Sequence, residues 1–150
     1  MAMAMAAEGF VVVVFDGRGT PGRGKSFQDA LYGRVHEFVV DHVHVMRQLF
    51  ERHSYLDPMR LGIIGASWGG YSTVRAMLTA PDLYKVGVAI CPVYDFDDHL
   101  AVAIEPYMGL PVDRPEAYRA ASNLDIAHKL QGKLLMIHGT SDVNATFQGR

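Results

Sequence analysis

Residues 60–71 read Arg60-Leu61-Gly62-Ile63-Ile64-Gly65-Ala66-Ser67-Trp68-Gly69-Gly70-Tyr71. Arg60 to Ile64 is a short apolar strand pattern. It runs through the G-x-S-x-G pentapeptide Gly65–Gly69 into a segment, Tyr71 to Ala80, with Tyr71, Val74 and Leu78 at helical spacing before Pro81. A serine between a strand and a helix, with small residues two positions to either side, is the pattern of a nucleophile elbow. Such a turn reverses the chain so sharply that only small neighbours fit, and it aims the serine Oγ outward. Gly65 and Gly69 supply that room, and Gly70 lets the helix approach the sheet.

The rest of the chain repeats the strand–helix alternation. Ala2 to Glu8 reads as the end of a helix stopped by Gly9, and Phe10 to Phe15 as a strand buried on both faces. Asp16 to Lys25 is a Gly-rich loop. From about Arg34 to His53, Val35, Phe38, Val39, His42, Val45, Met46, Leu49 and Phe50 recur at three and four, the pattern of an amphipathic helix. Val86 to Cys91 is a further strand, stopped by Pro92, and Lys133 to His138 a last buried one. Short helices are expected near 94–103, 116–121 and 124–129. Apolar strands alternating with helices imply an α/β fold with a parallel sheet and right-handed crossovers. The chain opens in a helix and closes just after a strand, so both ends read as cut.

The 150 residues suffice for one domain with a real core, and 49% hydrophobic with 20% charged residues is a globular composition. Fourteen basic against sixteen acidic residues leave −2, which gives no electrostatic case for nucleic acid or an anionic membrane. No apolar run is long enough to span a bilayer. The start, Met-Ala-Met-Ala-Met-Ala-Ala, lacks the basic flank of a signal peptide, so any signal or anchor is expected upstream of residue 1 and the compartment is left open. Cys91 is the single cysteine, so no internal disulfide forms.

A serine hydroxyl needs a base, usually a histidine oriented by a carboxylate. In elbow enzymes the acid follows the serine in sequence, in a loop beyond a strand. Asp142, in His138-Gly139-Thr140-Ser141-Asp142 after the last strand, fits that place; its competing role is a turn or cap residue. No histidine follows Asp142. His138 shapes the loop more than it suits the base. His42 and His44 point to different faces of a helix, and no histidine has a ligand-spaced partner, so neither metal nor organic cofactor is expected.

The Gly-rich loop offers a second reading. Gly19-Thr20-Pro21-Gly22-Arg23-Gly24-Lys25-Ser26 is a literal G-x-x-x-x-G-K-S after a strand pattern, the arrangement that cradles phosphates. Against it, the strong helical pattern begins only past Gly33, and no later strand ends in a metal-binding Asp. A non-catalytic, hydrolase-like interaction domain is a third reading.

Four stretches in unbroken order carry a resemblance: Asp16-Gly17-Arg18-Gly19-Thr20, Gly65 to Tyr71, Tyr107-Met108-Gly109-Leu110-Pro111, and His138 to Asn144. Together they resemble the prolyl oligopeptidase family of serine peptidases, most closely its dipeptidyl peptidase IV branch. The resemblance implies an α/β-hydrolase fold, a mostly parallel sheet with helices on both faces, of which residues 1–150 are a part truncated at both ends. It implies peptide hydrolysis through an acyl-enzyme on Ser67, with Asp142 as triad acid and the Trp68 amide as an oxyanion donor. Asn144 is then a substrate-backbone contact, and Tyr71 packs near the pocket. In that branch two tyrosines wall the proline pocket; their places hold His99 and Ala103 here, with Phe96 an aromatic nearby, so proline specificity is not carried over. The resemblance places the triad histidine beyond Arg150, and a second oxyanion donor and a β-propeller before residue 1. It allows a homodimer of the parent protein. On this reading the 150-residue chain by itself is not a competent peptidase.

Overall fold

The computed structural model describes residues 1–97 and 101–147. Its centre is a three-stranded parallel sheet in the order β1 (Gly62–Ala66), β2 (Val86–Ile90), β3 (Lys133–Ile137). Gly62 pairs with Val86 and Val86 with Lys133, and the register runs without a break to Ala66, Ile90 and Ile137. All three strands therefore end at the same edge of the sheet. The ladder reaches one residue further there, through Ser67 N–H to the Ile90 carbonyl (2.9 Å) and Cys91 N–H to the Ile137 carbonyl (2.7 Å).

The helices follow the apolar spacing closely where that spacing was strong. A 3₁₀ turn, Val35–Glu37, leads into α3 (Phe38–Arg52), and the elbow helix α4 spans Trp68–Thr79. Val39 and Met46 of α3 meet Ala76 and Met77 of α4, with Leu83 and Tyr84 closing the cluster. On the other flank of α4, Val74 and Leu78 bury Ala89 of β2. Full burial of a side chain such as Met77 stabilises by about 1.5–3 kcal/mol. This makes α4 the keel of the domain, fixed by its own core rather than by the turn it leaves. A short helix α1 (Ala2–Ala7) precedes Gly9, whose φ of +89° ends it as expected.

Several expectations are corrected. Phe10–Phe15 is not a strand: it forms no ladder among the described residues and leaves Phe10, Val11 and Val14 exposed, while Phe15 joins the α3–α4 cluster. Extended β-branched sequence needs a neighbouring strand, and β1 does not pair with it. β3 is likewise not buried, since Leu135, Met136 and Ile137 are exposed. With Ile64 and Val86 also exposed, the sheet has α4 on one face, and no described helix covers Ile64, Val86, Leu135 and Ile137 on the other. The helix expected near 94–103 overlaps α5, Ala101–Met108; residues 92–95 are not helical, and the Tyr94 carbonyl accepts the Asn123 N–H (3.1 Å). α6 (Pro115–Ala121) and a 3₁₀ turn at Ala127–Lys129 stand near their expected places.

The Gly-rich loop holds a further correction. A one-turn helix, α2 (Lys25–Gln28), does begin at Lys25, ahead of Gly33. It makes no phosphate cradle. The Gly19 amide donates inward to the Phe27 carbonyl (2.9 Å), and the exposed Lys25 ammonium is tied to Asp29. The loop is pinned instead by its arginines: Arg18 forks onto Asp41 of α3 at 2.8–3.0 Å, and Arg23 reaches Asp16 at 3.1 Å.

Candidate active site

The serine turn is built from the glycines outward. A Cβ on Gly65 would lie 2.3 Å from the Gly69 carbonyl oxygen, and one on Gly70 would lie 2.9 Å from the Ile90 carbonyl and 2.8 Å from Pro92 Cα. Strand and helix thus touch backbone to backbone. Gly69 itself has open space where a Cβ would go, so the room comes from Gly65 and Gly70 rather than from Gly65 and Gly69. Between them Ser67 takes φ +54° and ψ −116°, a region that side chains rarely occupy and that costs about 1–3 kcal/mol. Two bonds hold it: Ser67 N–H to Ile90 O at 2.9 Å, and Tyr71 N–H to Ser67 O at 3.0 Å. The residue is exposed, and its Oγ makes no hydrogen bond among the described residues. Trp68 is the first residue of α4, so its amide lies ahead of the first intrahelical bond, the one Tyr71 makes. The Trp68 amide, next to Ser67, therefore has no acceptor within the helix.

Asp142 lies in the loop after β3, at the sheet edge where β1 delivers Ser67. Its Oδ1 accepts the backbone N–H groups of Asn144 (2.9 Å) and Ala145 (3.0 Å), and its side chain is 20% exposed. The carboxylate therefore caps its own loop, with Oδ2 3.8 Å from His138 Nε2. Asn144 is exposed, and its side chain has no hydrogen-bond partner among the described residues. His138 sits at the root of the loop, 4% exposed, with Nδ1 3.1 Å from the Tyr94 hydroxyl and Nε2 2.6 Å from the Ala145 carbonyl. Both nitrogens are engaged, which removes His138 as a general base.

Behind the serine stands an aromatic wall. Trp68 stacks on Phe96 at 5.1 Å between centroids and also meets Tyr71 and Tyr107. Tyr71 and Phe96, expected near the pocket, are 0% and 2% exposed and belong to the core cluster that also holds Ala145. Burial pushes the Tyr71 phenol far above its ordinary value, so it stays an O–H donor, and it donates to the Ala121 carbonyl (2.8 Å). His99 lies outside the described residues.

Sequence reasoning missed Arg75. Its guanidinium donates to the carbonyls of Ala120 (2.7 Å) and Ser122 (3.1 Å), either side of the one taken by Tyr71. Three successive carbonyls at the end of α6 are thus capped from α4, and Asn123 Nδ2 returns a bond to Tyr71 O at 3.2 Å. Nothing but a single charged residue within an otherwise uncharged helix signalled this. No group of three His, Cys, Asp or Glu side chains among the described residues is arranged to hold a metal. No described helix is long and apolar enough to cross a membrane.

A family model for the prolyl oligopeptidase family matches residues 1–149. The chain belongs to the prolyl oligopeptidase family. It is 35% identical over 147 residues to dipeptidyl peptidase 4 of Bos taurus, covering 95% of this chain and 19% of that protein. It is 34% identical over 145 residues to prolyl endopeptidase FAP of Mus musculus, again covering 19% of the relative. Two crystal structures share its fold. A protein from Bacteroides ovatus ATCC 8483 assigned as a dipeptidyl aminopeptidase IV superposes with a TM-score of 0.84 at 36% identity, over 89% of this chain and 19% of that one. Porphyromonas gingivalis dipeptidyl peptidase 4 gives 0.80 at 34% identity, over 87% of this chain and 18% of the other. The chain thus spans about a fifth of the length of these relatives. Family membership bears out the resemblance drawn from the four sequence stretches, and nothing in the comparisons supports nucleotide binding.

Proposed function

We propose that the chain carries the nucleophile and the acid of a serine peptidase. The observation that supports this best is the strained, exposed Ser67, set at the strand-end edge that also bears Asp142. Ser67 Oγ attacks the carbonyl carbon of a peptide bond. Its proton passes to a histidine that Asp142 orients, and the amine leaves with that proton. Water then releases the acyl group by the same path. The Trp68 amide donates to the oxygen that gains charge in the tetrahedral intermediate, which is worth about 3–4 kcal/mol for one donor. Asn144 is positioned on the exposed side of the acid loop to hold the substrate backbone. His138 does not act as the base, which is a histidine beyond Arg150.

Phe96, Tyr71 and Tyr107 back Trp68, and Tyr71, Phe96 and His99 remain the candidates for contact with the residue before the scissile bond. A propeller, a dimer partner and the compartment belong to the same proposal only as features of the relatives' family.

The test is hydrolysis of a chromogenic dipeptide by the full gene product, with Ser67→Ala and Asp142→Asn beside it. Turnover in the wild type, lost in Ser67→Ala and reduced about ten-thousandfold in Asp142→Asn, supports the reading. Turnover that survives Ser67→Ala refutes it.

A further inference from the structure

The loop that carries Asp142 is closed on itself by two bonds to one residue. Asp142 Oδ1 accepts the Ala145 N–H at 3.0 Å, and His138 Nε2 lies 2.6 Å from the Ala145 carbonyl. A carbonyl only accepts, so Nε2 carries the proton. Nδ1 then accepts from the Tyr94 hydroxyl at 3.1 Å, and the two rings stack at 5.9 Å between centroids. Burial pushes the Tyr94 phenol up, which keeps it a donor. The Ala145 carbonyl thus fixes the proton on Nε2, and the Tyr94 hydroxyl holds the ring in place through Nδ1. Phe147 meets the other side of the imidazole edge-on at 5.7 Å.

This clamp has a route to the serine. Ala145 is 3% exposed and belongs to the core cluster with Tyr71 and Phe96, against which Trp68 packs. Tyr94 lies three residues beyond Cys91, on the segment that leaves β2 between the serine strand and the acid strand. The other carboxylate oxygen, Oδ2, is 3.8 Å from His138 Nε2, near enough to be steered and too far for a hydrogen bond.

We infer that Tyr94 and His138 are a positioning pair for the Asp142 carboxylate: the tyrosine fixes the imidazole, the imidazole fixes the Ala145 carbonyl, and Ala145 fixes Oδ1. The direction in which the carboxylate meets the catalytic histidine is set by that chain of contacts. The inference rests on Asp142 being the triad acid. Neither residue touches substrate.

The test uses the full gene product with Tyr94→Phe, His138→Leu and His138→Gln, and Leu83→Val as a mild core variant remote from the loop. His138→Leu lowers kcat about ten- to a hundredfold, as misplacement of a catalytic group by about 1 Å does, with KM changed less than about twofold. Tyr94→Phe, which keeps shape and is the safer fold, lowers kcat severalfold in the same sense. Gln at position 138 keeps a donor for the Ala145 carbonyl and restores most of the rate. Nitrogen chemical shifts of the imidazole show a protonated Nε2 in the wild type, and the Nδ1 resonance moves in Tyr94→Phe, which removes its hydrogen-bond partner. The inference is overturned if kcat is unchanged in His138→Leu and Tyr94→Phe, or if it falls only in step with Tm as in Leu83→Val. A wild type without Ser67-dependent turnover brings down the peptidase reading and this inference with it. An active wild type beside indifferent variants brings down the inference alone.

Discussion

Gly65 and Gly69 touch across the serine turn: a Cβ on Gly65 would stand 2.3 Å from the Gly69 carbonyl oxygen, while a Cβ on Gly69 would meet nothing within 4 Å. The two glycines of the motif are therefore not equivalent. Gly65→Ala must drive the strand and helix apart and is expected to cost about 3 kcal/mol, the upper end for overpacking. Gly69→Ala, in the first turn of α4, is expected to be neutral or to gain up to about 1 kcal/mol from helix propensity. Urea unfolding of the two variants measures the contrast, and equal losses would show that the turn is looser than drawn.

The strain at Ser67 has its own signature. Glycine occupies positive φ at little cost, so Ser67→Gly is expected to stabilise the fold by about 1 kcal/mol or more while removing the nucleophile. A rise in Tm together with loss of reaction toward an acylating probe checks it. A fall in Tm would mean that the hydroxyl contributes to folding.

The bond from Tyr71 to the Ala121 carbonyl ties the elbow helix to the end of α6 inside a dry cluster. Tyr71→Phe preserves the packing and leaves that carbonyl without its donor. The expected cost is about 1–3 kcal/mol, read from the shift of the urea midpoint at constant m.

Asp41 makes stability depend on acid. The Arg18 guanidinium bonded to it holds its carboxyl below the ordinary carboxylate value of 3.8. A depressed folded pKa gives stability that is fully present above the unfolded value and is lost as pH falls from there through the lower folded value. Thermal scans across that acid window are expected to show a steeper decline in the wild type than in Asp41→Asn. At neutral pH the substitution is expected to cost about 1 kcal/mol or less, since Arg18 is partly exposed and screened. Parallel pH profiles would assign the acid lability to other carboxylates.

What could be read from sequence divides along the range of the interactions. The serine turn, the helix over 38–52 and the strand over 86–90 follow from local spacing and glycine placement, and they stand where expected. Phe10–Phe15 has every local mark of a strand, yet a strand exists only with a neighbour, and periodicity says nothing about neighbours. Residues 92–95 stay outside the helix that the apolar pattern suggests from 94, and the Tyr94 carbonyl there is committed to the Asn123 N–H, a long-range bond. Asp142 could be placed from strand order, whereas the Tyr94–His138–Ala145 clamp beneath it involves residues far apart in sequence and left no motif. Gly69 was misjudged because the motif does not say which glycine meets backbone and which meets solvent.

The most direct test of the central claim is the site of covalent reaction with a fluorophosphonate in the full gene product. The account predicts a single adduct on Ser67, found by peptide mass, that disappears in Asp142→Asn under conditions where the fold is unchanged. An adduct on another residue, or labelling of Ser67 that is indifferent to Asp142, would contradict it.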